Sequence, residues 1–194
     1  MKDTMLGSYI AKTHSTTGFM EHELSAIKSG DMDTIASTFI DLKNDTYMMQ
    51  LKSVLKSFKF YMKDNISLED IRSVKDTPER YIGCQIMDGD EDVFFGIGGD
   101  DDALRKVASM FARCDFTQFD EDAYDAVCEL INCTNGMFAV QLDENDVKCE
   151  LRPPVFYSDV SVKSDHSFYV LDFKLDDKKF NAVMAVEDIV NIER

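Results

Sequence analysis

The sequence predicts an α+β fold: an antiparallel sheet covered on one face by two long helices, with a helical N-terminal extension. Two segments at 168–175 and 180–186 alternate apolar and polar residues with a period of two, which predicts strands. Residues 120–142 carry apolar side chains three and four positions apart, which predicts a long helix. Together these patterns favour a sheet with helices gathered on one side.

The first 75 residues are predicted to be helical. Apolar residues at helical spacing lie within 18–27 and within 35–42, with Asp31 or Asp33 as a candidate cap before the second segment. The most regular apolar stripe follows and is predicted to face the core: Met48, Leu51, Leu55, Phe58 and Met62. Ser67 is a candidate cap for a short turn that ends at Ile71. We predict an extension of unknown role at 1–42 and the main domain at 43–194.

Strands dominate the remaining part of the chain. Segments 81–87 and 93–97 flank an acidic turn, which is typical of a β-hairpin. A helix is predicted at 102–113, followed by the long helix at 120–142. Further strands are predicted at 147–151, 155–162, 168–175 and 180–186. Pro153 and Pro154 are placed at a strand start or edge because proline cannot donate to the ladder. The two helices are predicted to cover one face of this sheet.

Composition and charge exclude several classes of function. The net charge is −16, from 37 acidic and 21 basic residues, and such a surface repels nucleic acids and anionic membranes. No apolar run approaches the roughly 18 residues of a membrane span, and the first residues lack a signal-peptide pattern. We therefore predict a cytoplasmic protein.

Five cysteines without a CxxC pair indicate free thiols, and three histidines are too few to favour a zinc site. The acidic clusters at 88–92 and 100–102 lack an EF-hand pattern and are predicted to be solvated turns.

One polar strip on the long helix is the candidate functional site. Asp125, Glu129, Asn132 and Gly136 follow at spacings of four, three and four, so they fall within a strip roughly 60° wide, nearly opposite the apolar face. Any solvated helix shows a polar face. However, Asn and Gly each cost roughly 0.5 to 1 kcal/mol relative to Ala inside a helix, which favours a functional reason for their presence.

The chemistry of the strip favours positioning over covalent catalysis. It carries no obvious nucleophile, no metal cage and no glycine-rich phosphate loop. A carboxylate can pair with a cation, and a carboxamide can both donate to and accept from a water molecule. This suits phosphoryl transfer to water, whose barrier falls largely through positioning.

The pattern Asp125-x-x-x-Glu129-x-x-Asn132, followed by Gly136 and by the Pro-Pro-Val segment at 153–155, resembles the signature of the CheC, CheX and FliY chemotaxis phosphatases. CheX is the member it resembles most, over roughly residues 80–190. The resemblance implies the same order of elements, a phosphatase activity on the phospho-aspartate of a CheY-like receiver domain, and a homodimer. It implies no cofactor or metal of the chain's own, because Mg²⁺ is expected on the receiver.

The resemblance also implies residue roles. Asn132 would orient the attacking water, and Glu129 would pair with the active-site lysine of the receiver. Asp125 would help docking, Gly136 would allow the partner's backbone to come close, and Pro154 would shape the neighbouring turn. Two positions depart from the family pattern, since Cys128 and Phe138 stand where small residues are common.

Two alternatives remain open. The first is a non-catalytic binding module that docks a receiver or a flagellar-switch-type partner. The second is an interaction domain whose function resides in the N-terminal helices. The ExxN motif occurs once, so the two-site arrangement of CheC-type proteins is not supported.

Overall fold

The computed structural model describes residues 5–14, 18–187 and 190–194 of the chain. Six α-helices precede or interrupt six strands within this part. The helices are α1 Gly7–Thr13, α2 Glu21–Ser29, α3 Met32–Phe39, α4 Asp45–Met62, α5 Asp101–Ala112 and α6 Glu121–Glu144. The strands are β1 Ile66–Gly89, β2 Val93–Gly99, β3 Cys149–Leu151, β4 Val155–Leu175, β5 Lys178–Val186 and β6 Asn191–Glu193. The predicted α+β class is confirmed.

All strand pairs in the sheet are antiparallel, in the order β3-β1-β2-β5-β4-β6. Strand β1 also pairs with β4 along most of its length, so the pairings β1-β2-β5-β4-β1 form a closed ring. Two register shifts interrupt the β1-β4 ladder, between Leu68 and Asp70 and between Val74 and Asp76. Such irregularities bend a strand, so the two-stranded ladder of β1 and β4 can curve and close the ring.

Two boundary predictions are wrong. Residues 66–75, predicted as the end of the helical part, belong to β1 and form no helical turn, so the strand predicted to begin at Tyr81 begins at Ile66. Ile66 and Leu68 face the core with a period of two, and Leu68 pairs with Phe173. The strands predicted at 155–162 and 168–175 are a single strand, β4. Of the polar residues between them, Lys163 pairs with Asp76, and residues 164–167 lie in the register shift between this pair and the pair of Val74 with Phe168.

Helices α4, α5 and α6 cover one face of the sheet, one helix more than predicted. The predicted stripe on α4 is confirmed, since Leu51, Leu55, Phe58 and Met62 are fully buried. Phe58 contacts the sheet through Phe173 and Phe180, with ring centroids 5.0 and 5.6 Å apart. Burying a side chain of this size contributes about 1.5–3 kcal/mol, so the α4 stripe is a main attachment of the helical layer.

The opposite face of the sheet carries a smaller apolar cluster. Its buried members are Ile82, Cys84, Phe94, Val160, Val162, Phe168, Val170, Val183 and Ala185. Strands β2 and β5 are therefore buried on both faces, which explains why their sequences are nearly continuous apolar runs.

The N-terminal helices pack on the same core as the main domain. Met5, Leu6 and Ile10 are at most 3% exposed, and the backbone N–H of Leu68 donates to the carbonyl of Met5 at 2.8 Å. The predicted cap at Asp31 is confirmed, because its side chain accepts from Thr34 N at 2.9 Å. Helix α3 ends at Phe39, before Leu42. The boundary between residues 42 and 43 stays a prediction.

Within the described residues, the helices are all too short or too polar to cross a membrane. The acidic clusters make contacts that suit turns: Asp100 caps α5 by accepting from Ala103 N at 2.8 Å, and Asp90 accepts from Lys148 N at 2.8 Å.

Candidate active site on the long helix

Helix α6 lies directly on β1. Val127 and Ile131 on its apolar face are fully buried, and β1 has a glycine where they meet it. A Cβ at Gly83 would lie 3.0 Å from Ile131 Cδ1 and 3.2 Å from Val127 Cγ1, closer than most side-chain contacts. A larger residue at position 83 would push the helix away from the strand. The close approach brings the next inward-facing side chain of β1, Gln85, within reach of α6.

Helix α4 runs beside α6 and fixes it from the other side. The hydroxyls of Ser57 and Thr134 share a hydrogen bond of 2.7 Å, and Gln141 Nε2 donates to Ser53 Oγ at 2.7 Å. Small hydroxyl residues allow the two helices to pack closely while their polar groups stay satisfied. The candidate site therefore sits on a helix that is held along its length.

The predicted polar strip lies on one side of α6, but its members differ in exposure. Asp125 and Glu129 are exposed, whereas Asn132 and Gly136 are half-buried. Among the described residues, no cationic group lies within 4.0 Å of the carboxylates of Asp125 or Glu129. Other acidic side chains of this chain form ion pairs with its own arginines, as in Arg72–Asp172 and Arg80–Asp101. Glu129 is thus an exposed carboxylate whose charge is available to a partner.

Glu129 and Asn132 contact each other. Asn132 Nδ2 donates to Glu129 Oε2 at 3.3 Å, and Cys133 Sγ donates to Glu129 Oε1 at 3.7 Å. Both contacts are long and therefore weak, so they orient the carboxylate without neutralising it. Tyr61 of α4 borders this group, and its hydrogen bond with Cys133 is the main cause that raises the pKa of Tyr61.

Asn132 is less exposed than predicted because it is hydrogen-bonded to the sheet. Gln85 Nε2 donates to Asn132 Oδ1 at 3.0 Å and to the carbonyl of Arg152 at 2.7 Å. Asn135 Nδ2 donates to Gln85 Oε1 at 2.9 Å. Gln85 and Asn135 are 2% and 1% exposed. A buried carboxamide network therefore lies directly behind the polar strip.

The C-terminal half of the strip is open and apolar. A Cβ at Gly136 would have no atom within 4 Å, so nothing within the fold requires a glycine there. Beyond it, Met137 and Val140 are 37% and 60% exposed. Exposed apolar side chains therefore lie beside the strip beyond Gly136.

The turn that carries Pro154 is tied to this site. Pro154 is half-buried and lies between β3 and β4. Arg152, two residues earlier, donates from its backbone N–H to the carbonyl of Ile86 at 2.9 Å and from Nε to Asp88. The carbonyl of Arg152 also accepts from Gln85. The turn and Asn132 are therefore both hydrogen-bonded to the side chain of Gln85.

Two buried thiols near the strip, those of Cys128 and Cys84, are unsuited to act as nucleophiles. Burial raises the pKa of Cys128 to about 11, with a further contribution from Asp125. Burial also raises the pKa of Cys84, to about 12. A thiol with such a pKa is protonated at neutral pH, whereas the reactive form is the thiolate. Within the described residues, no group of three or more His, Cys, Asp and Glu is arranged to hold a metal ion.

Sequence reasoning missed four residues of this surface: Gln85, Asn135, Met137 and Val140. Gln85 gave one signal, since it is a lone carboxamide in an otherwise apolar strand and a buried amide needs partners. Its partners lie 47 and 50 residues away, and no local pattern connects them. Of the two departures from the family pattern, Phe138 is fully buried and Cys128 is half-buried, so both lie behind the strip.

Comparisons with known proteins agree with this architecture. The family model "Chemotaxis phosphatase CheX" matches residues 81–174. No curated protein matches the chain. A CheC-like superfamily protein from Shewanella sp. PV-4 is similar in structure, with a TM-score of 0.63 at 17% identity, covering 75% of this chain and 99% of that protein.

Two CheX structures are similar as well. CheX from Vibrio vulnificus gives a TM-score of 0.62 at 17% identity and covers 74% of this chain and 100% of that protein. CheX from Borrelia burgdorferi, in a complex with CheY, BeF₃ and Mg²⁺, gives a TM-score of 0.52 at 17% identity, covering 77% and 99%. The family resemblance predicted from the polar strip is confirmed.

Proposed function

Because residues 81–174 match the model of the chemotaxis phosphatase CheX and the fold is similar to those of CheX and CheC-like proteins, we propose that this chain is a CheX-like phosphatase that hydrolyses the phospho-aspartate of a CheY-like receiver domain. The observation that carries the proposal is the contact between Glu129 and Asn132 on an exposed helix face, where no cationic group of the described residues lies within 4.0 Å of the Glu129 carboxylate. The complex of Borrelia burgdorferi CheX with CheY, BeF₃ and Mg²⁺ supports a receiver as the partner.

The two residues divide the work. Glu129 pairs with the active-site lysine of the receiver and so fixes the orientation of docking. Asn132 enters the receiver's site and holds a water molecule in line with phosphorus. A bond forms between phosphorus and the water oxygen, and the bond between phosphorus and the aspartate oxygen breaks, which releases the carboxylate and inorganic phosphate. The chain needs no nucleophile or cofactor of its own, because Mg²⁺ resides on the receiver and positioning lowers the barrier.

Docking uses the surface around this pair. Asp125 extends the acidic part of the strip towards basic groups of the receiver, and Gly136 allows the receiver's backbone to approach α6. Pro154 shapes the turn beside Asn132. Met137 and Val140 add exposed apolar area at the end of the strip, which suits the apolar centre that protein interfaces contain.

A homodimer and a cytoplasmic location complete the proposal. The sheet has two outer strands, β3 and β6, within the described residues, and outer strands can pair with a second copy. Ile86 and Val155, which are 45% and 46% exposed, border a cleft of about 310 Å³ next to β6. Apolar surface beside an open edge suits contact between two copies.

The test is the decay of a phosphorylated CheY-like receiver with and without this protein, in Mg²⁺. We expect the wild type to accelerate the decay and Glu129→Gln to weaken it mainly through KM, since the amide keeps the contact with Asn132 but loses the charge. Glu144→Gln, which changes an exposed acid at the end of the same helix, should behave as the wild type. Failure of the wild type to accelerate the decay of any such receiver would refute the proposal. Light scattering on the same sample tests the homodimer.

Gly136→Ala is expected to stabilise the fold and to weaken docking. The added methyl meets nothing within the chain, and Ala exceeds Gly in helix propensity by about 1 kcal/mol. If the receiver's backbone lies against this position, the methyl creates a clash that lowers affinity on the order of tenfold, about 1.4 kcal/mol. Thermal unfolding and receiver affinity measured on one sample separate the two effects. A higher Tm with unchanged affinity would show that Gly136 lies outside the interface.

A further inference from the structure

The carboxamide network behind the polar strip fixes which way Asn132 points. The two ends of an amide side chain look alike in shape, and their assignment depends on the hydrogen bonds they make. The carbonyl of Arg152 can only accept, so the end of Gln85 that lies 2.7 Å from it must be the nitrogen Nε2. The same nitrogen lies 3.0 Å from Asn132, so the atom of Asn132 that faces it must be the oxygen Oδ1.

A second constraint from the other side gives the same answer. The remaining end of Asn132 lies 3.3 Å from Glu129 Oε2, which as part of a carboxylate can only accept. That end must therefore be the nitrogen Nδ2. The third member, Asn135, donates to Gln85 Oε1 at 2.9 Å and so holds the Gln85 amide itself in place. Two fixed acceptors, a backbone carbonyl and a carboxylate, thus determine the orientation of the whole network.

We infer that Gln85 is the positioning residue for Asn132: it holds Oδ1 towards the sheet, so that one N–H and one lone pair of the carboxamide stay free for the reacting water. The inference rests on the proposed phosphatase function. An asparagine on an exposed helix face rotates easily about χ2, since this terminal torsion has broad minima. The hydrogen bond from Gln85 limits this freedom before the receiver docks, and the weaker contact with Glu129 favours the same orientation. Because Gln85 is 2% exposed, it acts through Asn132 and touches no partner.

Gln85 also couples the carboxamide to the neighbouring turn. The carbonyl that accepts from Gln85 belongs to Arg152, immediately before Pro153. One side chain therefore sets the position of Asn132 on α6 and of the turn that carries Pro154. Pre-organisation of this kind lowers the cost of assembling a site on binding.

The chain provides a matched control for a merely structural role. Gln50 on α4 is 1% exposed, and its Nε2 donates to the carbonyl of Phe94 at 3.1 Å. Gln50 is therefore, like Gln85, a buried glutamine that donates to a carbonyl of the sheet, but this hydrogen bond involves no residue of the polar strip. If burial and the backbone hydrogen bond were all that mattered, substitutions at the two positions would have the same effect.

The experiment compares Gln85→Leu with Gln50→Leu by the initial rate of decay of a phosphorylated receiver at several receiver concentrations, with thermal unfolding as a check on the fold. Gln85→Leu should lose more stability than Gln50→Leu, because Gln85 takes part in three hydrogen bonds and the donation to Phe94 is the one found for Gln50 among the described residues, so both variants are assayed well below their Tm. Gln85→Leu should lower kcat by about 10- to 100-fold, which is the effect of removing the hydrogen-bond partner that orients a metal-ligating side chain, with KM nearly unchanged. Gln50→Leu should leave kcat nearly unchanged. A folded Gln85→Leu variant with the kcat of the wild type would overturn the inference.

A second variant gives a signature that packing alone cannot produce. The carboxylate of Gln85→Glu still accepts from Asn135 but cannot donate to Asn132, whereas its protonated form can. Burial raises the pKa of such a carboxyl, so kcat of this variant, relative to the wild type, should recover as the pH falls from about 8 to about 6. A ratio of the two kcat values that does not change with pH contradicts the inference.

Failure of the inference and failure of the proposed function are distinguishable. If the wild type does not accelerate receiver decay, the proposed function is wrong. The side-chain amide NMR signals of Asn132 then test the positioning by itself. They should shift in Gln85→Leu and stay in place in Gln50→Leu. Unchanged signals in both variants would overturn the role of Gln85.

Discussion

Asn132→Ala is expected to remove the acceleration of receiver dephosphorylation while the receiver still binds. The substitution deletes the carboxamide that joins Glu129 to Gln85 and that holds the attacking water in the proposed mechanism. Groups that stabilise or position a transition state contribute about 100- to 1,000-fold in rate, so kcat should fall by about this factor. Affinity should change by less than about fivefold, since most interface side chains contribute about 1 kcal/mol or less.

Asn145→Ala is the matched control. Asn145 is an exposed asparagine at the C-terminal cap of the same helix, where its Nδ2 donates to the carbonyl of Gln141 at 2.8 Å. It lies about 20 Å along the helix from Asn132, so its loss should leave both kcat and affinity unchanged. Full acceleration by Asn132→Ala would show that the carboxamide does not act on the water. Binding without acceleration by the wild type would instead identify the chain as a non-catalytic receiver-binding module.

The candidate site shows which part of a function local sequence can reveal. The helical spacing of Asp125, Glu129, Asn132 and Gly136 is a local property, and it is sufficient to predict that these residues share one side of α6. Their support is non-local. Gln85 meets Asn132 only because β1 lies under α6, and that contact depends on the missing side chain of Gly83. A single sequence contains no periodicity that links positions 85 and 132.

The two wrong boundaries have the same cause. Around Ser67, a candidate cap residue followed by Leu68 and Ile71, three positions apart, fits a helical turn. The alternation of Ile66 and Leu68 fits a strand, but it spans too few residues to distinguish the two. Leu68 pairs with Phe173 on β4, more than 100 residues away, and this pairing makes the segment a strand. Likewise, the polar residues in the middle of β4 resemble a loop locally, and β4 is one long strand because the segments on both sides of them pair with β1.

A buried acid outside the candidate site is expected to make stability depend on pH. Glu79 on β1 is 5% exposed. Its Oε1 accepts from Asn181 Nδ2 at 2.8 Å and from Thr77 Oγ1 at 3.3 Å. Burial outweighs these hydrogen bonds and raises the pKa of Glu79 from 4.5 to about 7. A Cβ at Gly98 would contact Glu79 Oε2 and lie 2.8 Å from Asn181 Oδ1, so the glycine leaves room for both oxygens.

The neutral form of Glu79 suits these surroundings. Asn181 Oδ1 borders the same space beside Gly98 as Glu79 Oε2 and is buried without a hydrogen-bond partner among the described residues; as an amide oxygen it can offer no proton to a charged Glu79. The folded state therefore binds the proton of Glu79 more tightly than the unfolded state does. As the pH rises from about 4.5 to about 7, the unfolded state loses the proton first, so the free energy of unfolding falls. At 1.36 kcal/mol per pKa unit, this group accounts for a decrease of up to about 3 kcal/mol.

Glu79→Gln is expected to remove most of this decrease. The amide keeps an oxygen for Asn181 Nδ2 and places an N–H where the acid carries its proton, and it has no charge to desolvate at high pH. In denaturant unfolding between about pH 4.5 and about pH 8, the free energy of unfolding of the variant relative to that of the wild type should therefore increase as the pH rises, by up to about 3 kcal/mol. Glu150→Gln, at an exposed position of β3, should run parallel to the wild type. If Glu79→Gln also runs parallel, Glu79 is ionised in the folded protein at neutral pH, and its charge must be compensated by Arg72, the cation that lowers its pKa.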